Sequence, residues 1–501
     1  MSLFGGISLP GHPDPENIRK LDLLPIPQIR RMMRMGIAID REWLWELSSN
    51  LDLRKTELKK DICALIPEEA LELFVSSTTD ELNLNVESAS QIAKLLFEVL
   101  RVGNGRRLKT TKDGKRLSTG KKQLETLKRD HPVIPLILEY RECSKLKSTY
   151  TDALPKVARL HPRTSHCDIC GTAHLESHYR IHTEILTTRT DTGRLASKRP
   201  NLQNIPARTK LGREVRKAFI PQKGSKLVGY DFAQIELRLL AHAAQESNML
   251  RIFNGGGDIH LDTACRAFSL DYKYYSDLAR KDELKQLAGE EKKIYSDFKL
   301  LNRAPCKNVN FGVAYGLGET GLYDLMAVTY AVAGVPLPDW LDVTWCGQFI
   351  QKWFDLYPQA AEYFELQHYR ARRYGITWCM FGGVRRIPEV RSVHERVRQA
   401  GLRQGGNNPI QRGAAGVFKL GMARAESVLS RLRSDESIHA EALLPIHDEL
   451  LCEVDEKWAE EVGAMYGYEM EEALRDEDTG EYCCRVPIKT DGKAMTRWEK
   501  E

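Results

Sequence analysis

Residues 226–242, Lys-Leu-Val-Gly-Tyr-Asp-Phe-Ala-Gln-Ile-Glu-Leu-Arg-Leu-Leu-Ala-His, constrain the fold more than any other stretch of the 501-residue chain. An apolar run through Leu227, Val228 and Tyr230 reads as a strand. It delivers a carboxylate, Asp231, and the chain turns at once into a helical pattern with Ile235, Leu239 and His242 on one side. Asp231 therefore stands at a strand end, where an acid can leave a core and meet a metal or a substrate. A second acidic stretch, His447-Asp448-Glu449, lies between two apolar runs and reads as a hairpin with its acids near the bend. Neighbouring side chains in an extended segment point to opposite faces, so Asp448 is paired with Asp231 and Glu449 is given a lesser role. Two carboxylates converging from separate strands suit magnesium, which takes hard oxygen ligands and keeps waters and substrate phosphates in its shell. Taken singly, each acid reads equally well as a helix N-cap or a solvated turn.

A third stretch, residues 302–316, changes that balance. Arg303, Lys307, Phe311 and Tyr315 recur every fourth residue, which on a helix draws one stripe roughly 18 Å long. Asn302 serves as an N-cap, and Pro305 requires the helix to begin just before it. Both cations then fall in the first turns, where the helix dipole disfavours them unless an anion is bound. The expectation is a phosphate-binding face followed by an aromatic floor, the alternative being a solvated basic face with two core aromatics.

Asp-Phe-Ala-Gln-Ile-Glu-Leu-Arg (231–238) resembles the first acidic motif of the family A, or DNA polymerase I type, DNA polymerases. Residues 303–316 resemble their fingers-helix motif, and His447-Asp-Glu their second acidic motif. Thr192-Gly-Arg-Leu, Asn201-Leu-Gln-Asn-Ile-Pro-Ala-Arg208, Asp258-Ile-His260 and Asn407-Asn-Pro-Ile-Gln411 match further motifs in the family's order. The resemblance implies an α+β right-hand fold with an antiparallel-sheet palm, helical fingers and a helical thumb. It divides the chain into a lead-in (1–24), an N-terminal helical part (25–86), a thumb (87–155), an inserted Cys/His loop (156–182), a first palm part (183–250), fingers (251–395) and a second palm part (396–501).

The resemblance also implies roles. Asp231 and Asp448 would hold two Mg²⁺ ions, with Glu449 supporting. Arg208, His260, Arg303 and Lys307 would bind the triphosphate, Lys307 also serving as proton donor to the leaving group. Phe311 would pack on the sugar and Tyr315 near the template base, with Glu236 near the 2′ position and Gln234 beside the metal-binding strand end. Arg194, Asn201, Gln203, Asn204, Arg403, Asn407 and Gln411 would contact primer-template DNA, and His447 the primer end. Minor-groove acceptors sit at nearly equivalent positions in every Watson–Crick pair, so a few donors there check shape without reading sequence. Activity would be DNA-templated DNA synthesis from dNTPs. The alternatives are a single-subunit RNA polymerase, against which Glu236 and Phe311 argue, and a catalytically silent DNA-binding subunit, against which the retained acids and cations argue.

Composition adds bounds. Hydrophobic residues make up 42% and charged residues 29%, as in ordinary soluble proteins, and the formal net charge of +5 says little by itself about nucleic acid. The distribution says more: nine Lys or Arg and one acid, Asp113, lie between Arg101 and Lys122, a tract that either follows a DNA backbone or forms a solvated loop. With no membrane-length apolar run and no signal peptide, a cytoplasmic monomer is expected. The eleven cysteines, odd in number and scattered, read as reduced thiols. Asp14-Pro-Glu16 matches a proofreading exonuclease motif only superficially, and no exonuclease domain is expected.

One segment lies outside the family pattern. Cys167-x2-Cys170-x3-His174-x3-His178 supplies two thiolates and two imidazoles, a set suited to a structural zinc ion, with Gly171 fit for a tight knuckle. His166 or His182 could substitute for one ligand, and a polar loop that binds nothing is the alternative.

Overall fold

The structure is a computed structural model describing residues 2–74, 84–105, 108–111, 114–207, 209–314, 316–332, 335–435 and 437–499. Arg208 and Tyr315 lie outside the described residues, as does Asp113 in the basic tract. The described strands are β1 (Ile37–Ile39), β2 (Arg159–His161), β3 (His178–Ile181), β4 (Glu184–Leu186), β5 (Ala196–Lys198), β6 (Phe219–Ile220), β7 (Ser225–Phe232), β8 (Ile376–Trp378), β9 (Val384–Arg386), β10 (Ala440–Ile446), β11 (Glu449–Asp455) and β12 (Thr490–Met495). Every pairing among them is antiparallel, and most of the remaining chain is helical, the α+β class expected.

The run around Asp231 becomes β7, an inner strand of the sheet β10-β11-β7-β12. Its alternation separates two cores. Val228 and Phe232 pack into one with Leu450, Cys452 and the helices around them; Leu227 packs into the other with Leu451, Leu444 and Ile446. Burial on both faces is why the strands read as nearly continuous apolar runs. A second sheet, β2-β3-β1-β6, contributes Ile37, Ile39, Ile181 and Phe219 to the second core.

Several expectations need correction. The lead-in is packed rather than loose: Leu3 and Ile7 are fully buried, and the helix Pro15–Leu23 is capped by Asp14, whose carboxylate accepts from Asn17 N at 2.9 Å. Pro15 at the first helical position explains the Asp-Pro-Glu sequence. The motif from Asn407 to Gln411 lies inside a helix that starts at Glu395 and runs 41 residues to Asp435, about 60 Å long, with Pro409 within it. The fingers helix does not begin at Asn302. Gly289–Phe298 continues through a wide π-type turn, Lys299–Arg303, into Ala304–Ala314, so the cations lie mid-helix and the dipole argument does not apply to them. Pro305 lacks an N–H and its ring crowds the preceding turn, and the wide turn just ahead of it lets the helix pass without a break.

The thumb boundary at residue 87 divides a shared core. Ile62, Ile66, Phe74, Leu84 and Val86 pack with Leu95, Leu124, Val133 and Ile137, while the helices Arg41–Ala64 and Val133–Leu146 lie side by side. The 156–182 segment is an excursion between paired strands β2 and β3, not a plain loop. All eleven cysteines are free. Among the described residues no helix is long and apolar enough to cross a membrane.

Candidate active site

The acids meet at one end of the β7 sheet. Glu449 lies directly opposite Asp231 across the β11–β7 pair, and Asp491 opposite it on β12. Directly opposed residues share a face, so Asp231, Glu449 and Asp491 form one row. His447 and Asp448 make the two-residue turn of the β10–β11 hairpin, with His447 at φ 58° as such turns require. Phe232 N donates to the Asp448 carbonyl at 3.1 Å, closing the turn onto the end of β7. Strand alternation, the ground for pairing Asp448 with Asp231, does not govern the choice between Asp448 and Glu449. Asp448 sits in a turn, free of strand alternation, so both acids reach the strand end, and Glu449 is the directly opposed one. Glu449 is only 5% exposed, its Oε1 lying over Gly229, where a Cβ would come within 2.8 Å of it. Asp491 was not read from the sequence, because only long-range pairing brings it beside Asp231.

Arg194 bridges this cluster. Its Nη2 donates to Glu236 Oε1 at 2.8 Å and lies 3.7 Å from Asp448 Oδ2. Gln234 begins the helix Ile235–Ala244 in the left-handed conformation, φ 54°, which turns the chain sharply after Asp231.

The fingers helix carries Arg303, Lys307 and Phe311. Arg303 donates from Nε (2.8 Å) and Nη2 (2.6 Å) to Asp258 Oδ2, while Asp258 Oδ1 caps the next helix by accepting from His260 N at 2.8 Å. Burial alone would raise the Asp258 pKa, but Arg303 and His260 outweigh it and hold the carboxyl below its ordinary value. Lys307 is exposed, one turn along the helix. His260, expected to bind the triphosphate, is enclosed. It is 2% exposed, and burial, against the pull of Asp258, pushes it down to about 4. Neutral at pH 7, its Nδ1 accepts from Asn310 Nδ2 at 2.9 Å, and Asn310 Oδ1 accepts from Trp353 Nε1 at 2.6 Å. As placed, His260 positions the fingers helix, with its ring 5.3 Å from that of Phe311.

The expected DNA contacts divide. Gln203 is buried, donating to the Pro445 carbonyl at 2.8 Å and accepting from Ser197 N, and Asn201 Oδ1 bonds Ser197 and Gln203 N; both are occupied in holding their loop against the β10–β11 hairpin. This corrects the assignment of Gln203 to DNA, since a buried amide with both ends bonded has nothing to offer a groove. Asn204 is exposed, and its carbonyl accepts from Tyr150 OH. Arg403, exposed on the long helix, packs its stem against Gly316, which has φ +66° and no room for a Cβ. Asn407 and Gln411 follow one and two turns later, both half-buried.

Of the expected zinc ligands, Cys167, Cys170 and His174 converge and His178 does not. His178 Nε2 faces Arg180 Nη1 at 3.2 Å, and the fourth place is taken by His161. Pairing of β2 with β3 sets His161 opposite His178 and returns it to the cluster, a long-range effect that sequence spacing does not carry.

A four-stranded antiparallel palm with acids at one end, a fingers helix carrying cations and a helical thumb define a right-hand polymerase fold. Residues 44–500 match the family model "DNA polymerase family A". DNA polymerase I, thermostable, of Thermus filiformis is 36% identical over 445 residues, 89% of this chain and 44% of that protein. DNA polymerase I of Deinococcus radiodurans is 33% identical over 445 residues, 89% of this chain and 39% of that protein. The solved "POL domain of Pol1 from M. smegmatis complex with DNA primer-template and dNTP" matches with TM-score 0.72 and 26% identity, covering 96% of this chain and 72% of that one. The chain belongs to DNA polymerase family A, and it spans less than half the length of these curated relatives.

Proposed function

We propose that this chain is a DNA-templated DNA polymerase that extends a primer 3′ end with dNTPs. The observation that carries this reading is the meeting of Asp231 with the Asp448–Glu449 hairpin at one end of the sheet, in a chain whose fingers helix carries Arg303 and Lys307. Phosphoryl transfer needs positioning and charge neutralisation more than covalent chemistry, and this arrangement supplies both. The donor set is hard carboxylate oxygen from separate strands, which fits magnesium: Asp231 and Asp448 would hold the ions and Glu449 would support them. Bound magnesium would supply a Lewis acid for the primer hydroxyl and the departing pyrophosphate.

The protein's own groups do the rest. Arg303 and Lys307 bind the triphosphate, and Lys307 donates a proton to the leaving group. Phe311 packs on the sugar, and Glu236, held by Arg194, lies near its 2′ position. Asn407, Gln411 and Arg403 present donors along one line of the long helix to the minor groove of primer-template DNA. The chain carries no proofreading activity of its own, a reading supported by the 96% of it that the POL-domain match occupies.

Primer extension tests the reading. Asp231→Asn and Asp448→Asn are each expected to lose several orders of magnitude in rate while binding primer-template as the parent does, because the acids serve the reaction rather than affinity. Full activity in either variant overturns the assignment, and metal-dependent 3′ to 5′ degradation by Asp231→Asn would contradict the absence of proofreading.

A further inference from the structure

The Cys/His cluster uses no residue of the active site, and its geometry stands independently of the polymerase reading. His161, Cys167, Cys170 and His174 bring one ligand atom each to within 4.8 Å of all the others, and all four are buried, with exposures of 0%, 1%, 5% and 3%. The ligating atoms lie 3.1 Å (Cys170 Sγ to His174 Nε2), 3.6 Å (Cys167 Sγ to His161 Nδ1) and 3.3 Å (His161 Nδ1 to His174 Nε2) apart. Ligands on a tetrahedral zinc, with bonds of about 2.0 to 2.3 Å, stand roughly 3.3 to 3.8 Å from one another.

Hydrogen bonding fixes which ring nitrogens are bare. The Met33 carbonyl can only accept, so His182 donates to it from Nδ1 at 3.0 Å and keeps Nε2 unprotonated. His161 Nε2 lies 3.1 Å from that atom and must donate to it, leaving His161 Nδ1 bare. Gln222 Oε1 accepts from His174 Nδ1 at 2.8 Å, leaving His174 Nε2 bare. Two buried lone pairs therefore face each other at 3.3 Å, each beside a cysteine sulfur whose S–H can donate to it. A cation at the centre replaces two weak S–H donors, leaving two thiolates and two imidazole lone pairs directed at it. The cysteines sit on a knuckle, in which Gly171 N donates to the Cys167 carbonyl at 2.7 Å with Gly171 at φ +79°, the turn that aims both sulfurs inward.

We propose that His161 Nδ1, Cys167 Sγ, Cys170 Sγ and His174 Nε2 bind one zinc ion, with Gln222 and His182 orienting the two imidazoles from behind. Four protein ligands close the coordination sphere, so the ion is structural and leaves no open position for water or substrate. It fastens the excursion between β2 and β3 to Gln222, whose backbone N–H donates to Glu453 on β11 at 2.8 Å, and so to the palm.

Metal analysis of the full chain, produced in zinc-replete medium, tests this. About one zinc per chain is expected, retained in His178→Asn and lost from His161→Asn and Cys167→Ser. Because a variant that folds poorly would lose metal for that reason alone, the parent protein supplies a second readout: titration with a mercurial thiol reagent should release the zinc, and Co²⁺ exchanged into the chain should show the intense visible bands of tetrahedral thiolate coordination. Stripping the metal should lower the melting temperature while primer extension well below it continues. Less than about a tenth of a zinc per folded chain, together with octahedral-type cobalt spectra, overturns the site; zinc kept by His161→Asn but lost from His178→Asn overturns the ligand set.

Discussion

Glu453 and Arg180 are both fully buried and 3.0 Å apart, and Glu453 also accepts from His439 at 3.0 Å and from Gln222 N. Burial alone would raise the Glu453 pKa; Arg180 first, then His439 and Gln222, outweigh it and hold the carboxyl far below 4.5. A depressed carboxylate contributes stability in full above its unfolded value near 4.5, and that contribution is lost progressively as pH falls below it. Urea unfolding should therefore show stability falling below that pH with a slope that Glu453→Gln removes. At pH 7 the same substitution should cost about 3–5 kcal/mol, because it leaves Arg180 buried and unpaired. Gly229 is the other single residue on which the site depends. Gly229→Ala should push the Glu449 carboxylate aside and lower kcat while primer-template Kd stays put, a split that steady-state kinetics and a binding titration will resolve. At this scale the sequence was most legible where chemistry is local. Asp231, Asp448, Arg303 and Lys307 stand in short motifs, whereas Asp491 and His161 reach their places only through strand pairing with distant residues.

Among the elements, the fingers helix is held by what precedes it. Asp258 does two jobs, capping the helix Ile259–Ala267 and engaging Arg303, and in the proposed reaction Arg303 would have to leave it to grip a phosphate. Asn caps as well as Asp but carries no charge, so Asp258→Asn isolates the second job. Partly exposed pairs are worth about 1 kcal/mol at most, so KM for dNTP should fall by up to about fivefold with the melting temperature little changed. An unaltered or raised KM would mean that the pair supports Arg303 instead of restraining it. Apolar periodicity announced the helices, yet their ends were misplaced. Pro305 reads as the mark of a helix start because the chain alone does not reveal the neighbours that carry a helix past a missing N–H.

For the molecule as a whole, the two faces of the palm sheet belong to different cores, and a third core holds the thumb, with Leu136 and Tyr140 packed against both of the latter two. Thumb and fingers also touch through Lys109 and Asp324, 3.1 Å apart with side chains 67% and 38% exposed. So exposed a pair is largely screened by salt, and Asp324→Lys should enlarge the radius of gyration measured by small-angle scattering without altering the unfolding midpoint. The buried Glu453 pair acts at this scale too. Glu453 lies on β11 four residues beyond Glu449, an even number, so both side chains leave the strand on the same side. Were β11 to slide along β7 by a single residue, Asp448 would be drawn opposite Asp231 and Glu449 would turn to the other face, while Glu453 would be pulled from Arg180 into an apolar core. The ion pair thus works as an index pin: it makes the mis-set strand costly at a point far from the sheet end, and so keeps Asp448 in the turn and Glu449 in the row beside Asp231.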